Sequence, residues 1–106
     1  MVASALRSVR ETGNQLNQKE WDNMPLFLDT HKGMDGLTAE AAAGVHMKDV
    51  ETQAKHGVKY LKYWFSAAEG TVHCLFEAPN KEAGEAVPRE AHGMMADEIT
   101  EVQEGE

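Results

Sequence analysis

Cysteine is almost absent from this sequence of 106 residues, and long apolar runs are missing altogether. The single cysteine, Cys74, excludes an internal disulfide, which is typical of cytoplasmic proteins. No stretch approaches the roughly 20 apolar residues that span a bilayer, and the first residues lack the apolar segment of a signal peptide. We therefore expect a cytoplasmic protein with no membrane partner.

Basic residues are scarce as well, because 10 Lys and Arg stand against 18 Asp and Glu, for a formal net charge of −8. An acidic chain repels nucleic-acid phosphates, so we expect no nucleic-acid partner. The five histidines are many for so short a chain and give the first indication of chemistry. Acidic residues without Lys or Arg among them continue to the end of the chain, at Asp97, Glu98, Glu101, Glu104 and Glu106.

The length predicts one domain, and its compact part is expected to start at Met24. Residues 1–23 are polar and show no sustained hydrophobic period, so we expect an N-terminal extension that is poorly ordered or forms a short helix. Residues 24–106 are then expected to form the folded domain, with the acidic residues as its tail.

From Met24 onwards, strand patterns and helix patterns alternate. The segments "MPLFLDTH", "VKYLKYWFS", "TVHCLFEAP" and "DEITEVQ" are typical of strands, and "AAEG" is typical of a hairpin connection. One helix is predicted from Thr38, its N-cap, to Gly57, and another begins at the N-cap Asn80. The resulting βαββαβ order predicts a ferredoxin-like α+β fold, in which a four-stranded antiparallel sheet has both helices on one face.

Such a layer leaves the other face of the sheet uncovered. We expect Phe27, Tyr63 and Leu75 on that face. An exposed apolar sheet face predicts a partner, and a second copy of the chain is the simplest one. The expected assembly is therefore a homodimer in which two sheets form a dimeric α/β barrel.

Histidines gather near one rim of the predicted sheet. The end of the first strand, the start of the third and the end of the second helix share this rim, which brings His31, His73 and His92 together. His46 on the first helix is within reach, and Asp29 lies two residues before His31. Imidazole and carboxylate ligands suit nickel, zinc, copper and iron alike, so the pattern predicts a first-row divalent metal site.

Each histidine also has a structural interpretation. His46 fits a core residue that hydrogen-bonds a carbonyl group or Gln53, and His92 fits a cap at the helix C-terminus. His31 fits an exposed strand end, and His73 is expected to be solvated on a hairpin arm. No closely spaced metal motif such as H-E-x-x-H is present.

Pro88 interrupts the second helical pattern. A proline in a helix interior costs about 3 kcal/mol, because it removes a hydrogen bond and its ring clashes with the preceding turn. We therefore expect the helix to break near Val87 and to restart as a short turn that carries His92 over the rim.

The segments "MPLFLDTH", "AEAAAGVHMKDVETQAKHGVKYLKYWF", "CLFEAP" and "REAHG", followed by "ADEI", together resemble a family of small bacterial nickel-binding proteins, long labelled a domain of unknown function. The resemblance covers roughly residues 24 to 102. It implies a ferredoxin-like fold assembled as a dimeric barrel, and it implies Ni²⁺ or a similar divalent ion. The ligands that it implies are Asp29, His31, His46 and His92, with Glu77 and Tyr63 as further candidates.

The chain departs from this family in its second helix. There the family pattern has His-x-x-x-His, whereas this sequence has Pro88 at the first position and His92 at the second. One ligand that the resemblance implies is therefore absent.

Three functions are compatible with these patterns. The first is a small metal-binding protein for nickel storage, buffering or sensing. The second is a dimeric-barrel enzyme, such as a small monooxygenase or isomerase acting on an aromatic substrate, with His46 or His92 as general base. The third is a purely structural or regulatory dimer.

Overall fold

The structure is a computed structural model that describes residues 24–105. Its elements are β1 (Leu26–His31), α1 (Ala39–Gln53), β2 (Lys59–Ser66), β3 (Thr71–Glu77), α2 (Lys81–Ala91) and β4 (Glu98–Val102), with a single 3₁₀ turn (Ala54–His56) after α1. This order confirms the predicted ferredoxin-like α+β fold. The predictions for residues 1–23 and for Glu106 lie outside the described residues. None of the helices in the described range is long and apolar enough to cross a membrane.

The four strands form one antiparallel sheet in the order β2-β3-β1-β4. Because β1 and β3 run in opposite directions, His31 at the end of β1 pairs with Val72 near the start of β3. Leu26 pairs with Glu77 at the other end of the same strand pair. The sheet therefore has a His31 end and a Glu77 end.

Both helices begin at the predicted N-caps. The Oγ1 atom of Thr38 accepts a hydrogen bond from the N–H of Ala41 at 3.0 Å, and Oδ1 of Asn80 accepts one from Ala83 at 2.8 Å. Each cap satisfies a backbone donor that the first turn of a helix leaves unpaired. The 3₁₀ turn after α1 ends at Gly57, whose φ of 70° is in the left-handed region that glycine adopts without strain.

The second helix is continuous through Pro88, so the predicted break near Val87 is wrong. The proline ring is fully buried, which recovers part of the cost of its missing N–H. Its carbonyl oxygen accepts the N–H groups of His92 at 3.0 Å and Gly93 at 2.7 Å, and this closes the helix end. His92 therefore follows directly from a regular helix, as its C-cap residue.

The core lies between one face of the sheet and the two helices. Phe27 and Phe76 stack with their ring centroids 5.6 Å apart, and Ala42 and Val87 bring α1 and α2 onto them. Gly84 allows α2 to lie directly on the sheet, because a Cβ atom there would be only 2.4 Å from the Phe76 ring. Glycine at this position therefore allows the N-terminal half of α2 to approach the sheet closely.

The prediction of which residues lie on the uncovered face of the sheet is only partly correct. Phe27 is 5% exposed and faces the helices, whereas Leu75 lies on the open face. Tyr63 also faces the helices, because the strand is irregular between Tyr60 and Lys62 and this irregularity reverses the alternation of β2. The wrong placement of Tyr63 followed from assuming an unbroken period of two along this strand.

Candidate metal centre

The alternation of β1 directs Asp29 and His31 towards the helices, where both side chains are buried. Nε2 of His31 lies 3.7 Å from Oδ1 of Asp29. The same oxygen accepts a hydrogen bond from the backbone N–H of Cys74 at 3.2 Å, which holds the carboxylate in place on the sheet. The strand thus presents an imidazole and an anchored carboxylate under the helices.

The first helix supplies His46 and Asp49, which are three residues apart and therefore share a face. Both line a small cavity together with His31. The cavity volume is about 10 Å³, which is sufficient for one water-sized occupant. The remaining lining residues are apolar apart from the thiol of Cys74, and they are Met34, Ala42, Val45, Val72 and Met94.

The end of α2 reaches this centre through His92. Nε2 of His92 lies 2.9 Å from Oδ1 of Asp49, and the two side chains are 5% and 3% exposed. Nδ1 of His92 accepts the backbone N–H of Met94 at 3.1 Å, so this nitrogen carries no proton. Its Nε2–H therefore donates to Asp49. His92 therefore caps the helix end with its backbone while its side chain binds a buried carboxylate.

Aromatic rings pack against His46. It stacks on Tyr63 with ring centroids 4.4 Å apart, and Tyr60 meets it edge-on at 6.1 Å. Its Nδ1 atom is buried and has no hydrogen-bond partner in the described part of the chain. Gln53 instead accepts the backbone N–H of Tyr60 at 3.0 Å, so Gln53 does not supply the expected partner of His46.

Buried carboxylates dominate the electrostatics of the centre. Burial lowers the pKa of His31, but the hydrogen bond and charge of Asp29, together with Asp49 and Asp97, outweigh it and raise the pKa above its usual 6.5. Burial lowers the pKa of His46. Burial also raises the pKa of Asp49, although His92 opposes this shift. A cation that entered the centre would relieve the mutual repulsion of its carboxylates.

Two candidate side chains lie elsewhere. Glu77 is buried at the opposite end of β3, five strand positions from Val72, or about 17 Å at the usual rise per residue. His73 lies on the open face of the sheet, where its Nδ1 atom is 2.9 Å from Oγ1 of Thr30. The structure therefore brings together Asp29, His31, His46 and His92, with Tyr63 beside His46, and leaves Glu77 and His73 apart.

Asp49 is the residue that sequence reasoning missed. Its signal was the spacing His46-x-x-Asp49, which places an imidazole and a carboxylate on adjacent turns of one helix face. The helix has a mixed pattern in which Asp49 is buried while several apolar neighbours are exposed, so hydrophobic periodicity does not indicate its burial.

The donors are gathered but not arranged around an ion. Among residues 24–105, no three His, Cys, Asp or Glu side chains are placed so that they could hold a metal as they stand. The donor types nevertheless fit nickel, and His46 has a buried nitrogen that lacks a partner. Nε2 of His31 faces Asp29, and Nε2 of His92 faces Asp49. Ion binding through these nitrogens therefore requires the histidine or aspartate side chains to rotate.

Residues 27–102 match the model of a family described as nickel responsive protein, SCO4226-like. The crystal structure of SCO4226 from Streptomyces coelicolor A3(2) is similar to this chain, with a TM-score of 0.72 and 36% sequence identity. The similarity covers 76% of this chain and 99% of the SCO4226 chain. No curated protein sequence matches this chain.

Proposed function

Because the chain belongs to the SCO4226-like family of nickel-responsive proteins, we propose that it binds Ni²⁺, or a closely related divalent ion, for storage, buffering or sensing. The observation that supports this proposal best is that His31, His46 and Asp49 line one small cavity and that His92 pairs with Asp49. We also propose a cytoplasmic location, in keeping with the single cysteine.

The ligands in this proposal are imidazole nitrogens, with the two carboxylates in supporting positions. Ligating histidines usually donate their second N–H to a carboxylate or carbonyl group, which orients the ring and makes the ligand more basic. Asp29 beside His31 and Asp49 beside His92 are placed for this role or for direct ligation. His46 adds a nitrogen that needs no hydrogen bond to be broken first.

Protons compete with the ion in this scheme. His31 must be neutral to ligate, and its raised pKa means that it holds its proton above pH 6.5. If Nε2 of His92 is to bind the ion, its proton must move to Nδ1, which costs the hydrogen bonds to Asp49 and from Met94. Binding should therefore release protons, and Ni²⁺ affinity should fall as the pH drops from about 8 to about 5.

Calorimetric titration of the untagged protein with Ni²⁺ tests the proposal. We expect His46→Ala and Asp49→Asn each to weaken binding by about tenfold or more, which is the usual effect of losing a ligand or its carboxylate partner. His56→Ala and His73→Ala are matched controls, because both remove a histidine outside the centre. The proposal is wrong if His46→Ala and Asp49→Asn retain full affinity, or if the controls lose as much.

We also propose a homodimer that forms through the open face of the sheet. Leu28, Leu75, Val102 and His73 surround Trp64 in a shallow groove of about 500 Å³ on the open face of the sheet, and Trp64 is 49% exposed. An exposed tryptophan in an apolar groove is the kind of surface that a partner covers.

Sedimentation at micromolar concentration tests this assembly. We expect a dimer that Trp64→Glu converts to a monomer, since the change would place a charge in the buried interface. Met47→Glu is the matched control, because Met47 is 54% exposed on α1, away from the open face. A monomeric wild-type protein would contradict the proposed assembly.

The alternative enzymatic function is less well supported. Pockets for small organic ligands usually have volumes of about 300–1,000 Å³. The cavity beside His46 has a volume of about 10 Å³, which does not admit an aromatic substrate. We therefore favour ion binding over a general-base role for His46 or His92.

A further inference from the structure

A second, wider cleft adjoins the candidate metal centre. It has a volume of about 320 Å³ and lies between the loop after β1 and the loop that joins α2 to β4. Three methionines line it, namely Met34, Met94 and Met95. Met94 and Met95 are 39% and 40% exposed, so their thioether groups are accessible from solvent.

The backbone on both sides of this cleft is fixed. The N–H of Met34 donates to the carbonyl of Gly70 at 2.9 Å, and the N–H of Met94 donates to Nδ1 of His92 at 3.1 Å. Methionine side chains keep three rotatable bonds and a polarisable sulfur. The cleft thus combines anchored main chain with thioether groups that can adjust to an occupant.

Charge and donor type indicate what that occupant is. Asp35 and Asp97 also line the cleft, as does Lys32, whose ammonium group is paired with Glu98. His31 lies where the cleft meets the inner cavity. Carboxylates attract a cation, whereas thioether sulfurs select soft cations, above all Cu(I). An apolar protein segment would gain little from the two aspartates.

We propose that this cleft is a second metal site, which binds a soft monovalent cation of the Cu(I) or Ag(I) type. The thioether sulfurs of Met34, Met94 and Met95 are its ligands, and His31 is available as a nitrogen donor. The site differs from the proposed nickel centre in its donors, because it uses sulfur where the nickel centre uses His46 and carboxylates.

Silver is the appropriate probe, because Ag⁺ binds thioethers without needing a reductant. We would titrate AgNO₃ in chloride-free buffer into protein that carries ¹³C-labelled methionine methyl groups. The methyl signals of Met34, Met94 and Met95 should shift together and saturate at a single ion per chain. Met47 is the matched control, because it is more exposed, at 54%, but does not line the cleft. Equal shifts at Met47, or no shifts in the cleft, would overturn the proposal.

Variants separate this site from other silver ligands and from the nickel centre. Met95→Leu keeps the apolar volume and removes a sulfur donor that does not line the inner cavity of the nickel centre, so it should weaken Ag⁺ binding by about tenfold or more while Ni²⁺ binding persists. His46→Ala should have the opposite effect, which distinguishes failure of this proposal from failure of the nickel proposal. Cys74→Ala should retain Ag⁺ binding. If Cys74→Ala abolishes Ag⁺ binding and Met95→Leu does not weaken it, the buried thiol is the ligand and the proposal is wrong.

Discussion

Replacing His92 by alanine tests the central contact of the candidate site in the metal-free protein. The imidazole donates to Asp49 across the helix pair, and both side chains are almost fully buried, with 5% and 3% exposure. His92→Ala removes the donor but leaves the carboxylate in place. The variant therefore has a buried acceptor whose hydrogen bond to His92 is lost.

The size of the effect distinguishes two roles of His92. A histidine that only complements the helix dipole contributes about 0.3–1 kcal/mol. Removing the donor to a buried carboxylate costs about 1–3 kcal/mol or more, since the remaining charged acceptor is left without its hydrogen bond. The exposures of His92 and Asp49 place this contact in the second class. The double variant His92→Ala/Asp49→Ala should cost less than the sum of the single changes, because it removes the unpaired carboxylate as well.

Urea unfolding followed by far-UV circular dichroism, with a chelator present, measures these free energies. The loss from His92→Ala should be largest near pH 7 and should shrink as the pH falls, because burial already raises the pKa of Asp49 and a protonated carboxyl group is easier to bury. His56→Ala is the matched control, since its Nε2 atom lies 3.1 Å from a carboxylate oxygen of Glu90 at the surface. Little change is expected there. A loss below about 1 kcal/mol for His92→Ala would refute the buried-pair interpretation and leave only a dipole cap.

Two further predictions concern packing and protonation. Gly84→Ala should lower the free energy of unfolding by about 1–3 kcal/mol, because its Cβ atom would clash with Phe76. Gly44→Ala should raise it by about 0.5–1 kcal/mol, because a Cβ atom there has no described atom within 4 Å and alanine favours the helix. Urea unfolding of both variants checks this contrast, and equal effects would contradict the close packing. In an NMR titration of the metal-free protein, His31 should have its midpoint above pH 6.5 and His46 below it. The contribution of His31 to stability should therefore be lost as the pH rises through its folded-state pKa. The contribution of His46 to stability should be lost as the pH falls below about 6.5. Equal titration midpoints for the two histidines would contradict this difference between their environments.

Local rules were sufficient to predict the elements and their arrangement. The caps at Thr38 and Asn80 form within a single turn of chain, so residue type alone indicates them. Short connections and alternating strands then leave few arrangements of four strands and two helices, and the ferredoxin-like order is one of them. That topology was also sufficient to predict that Asp29, His31 and His92 lie at the same end of the sheet.

Other features depended on contacts that local patterns do not contain. The irregularity between Tyr60 and Lys62 turned Tyr63 towards the helices, and the burial of Pro88 kept α2 continuous. The pairing of Asp49 with His92 joins residues 43 positions apart, so neither residue's neighbours along the chain reveal it. A buried carboxylate is stabilised only by a partner that packing brings to it, and for that reason the tertiary structure decided which acid joins the histidines.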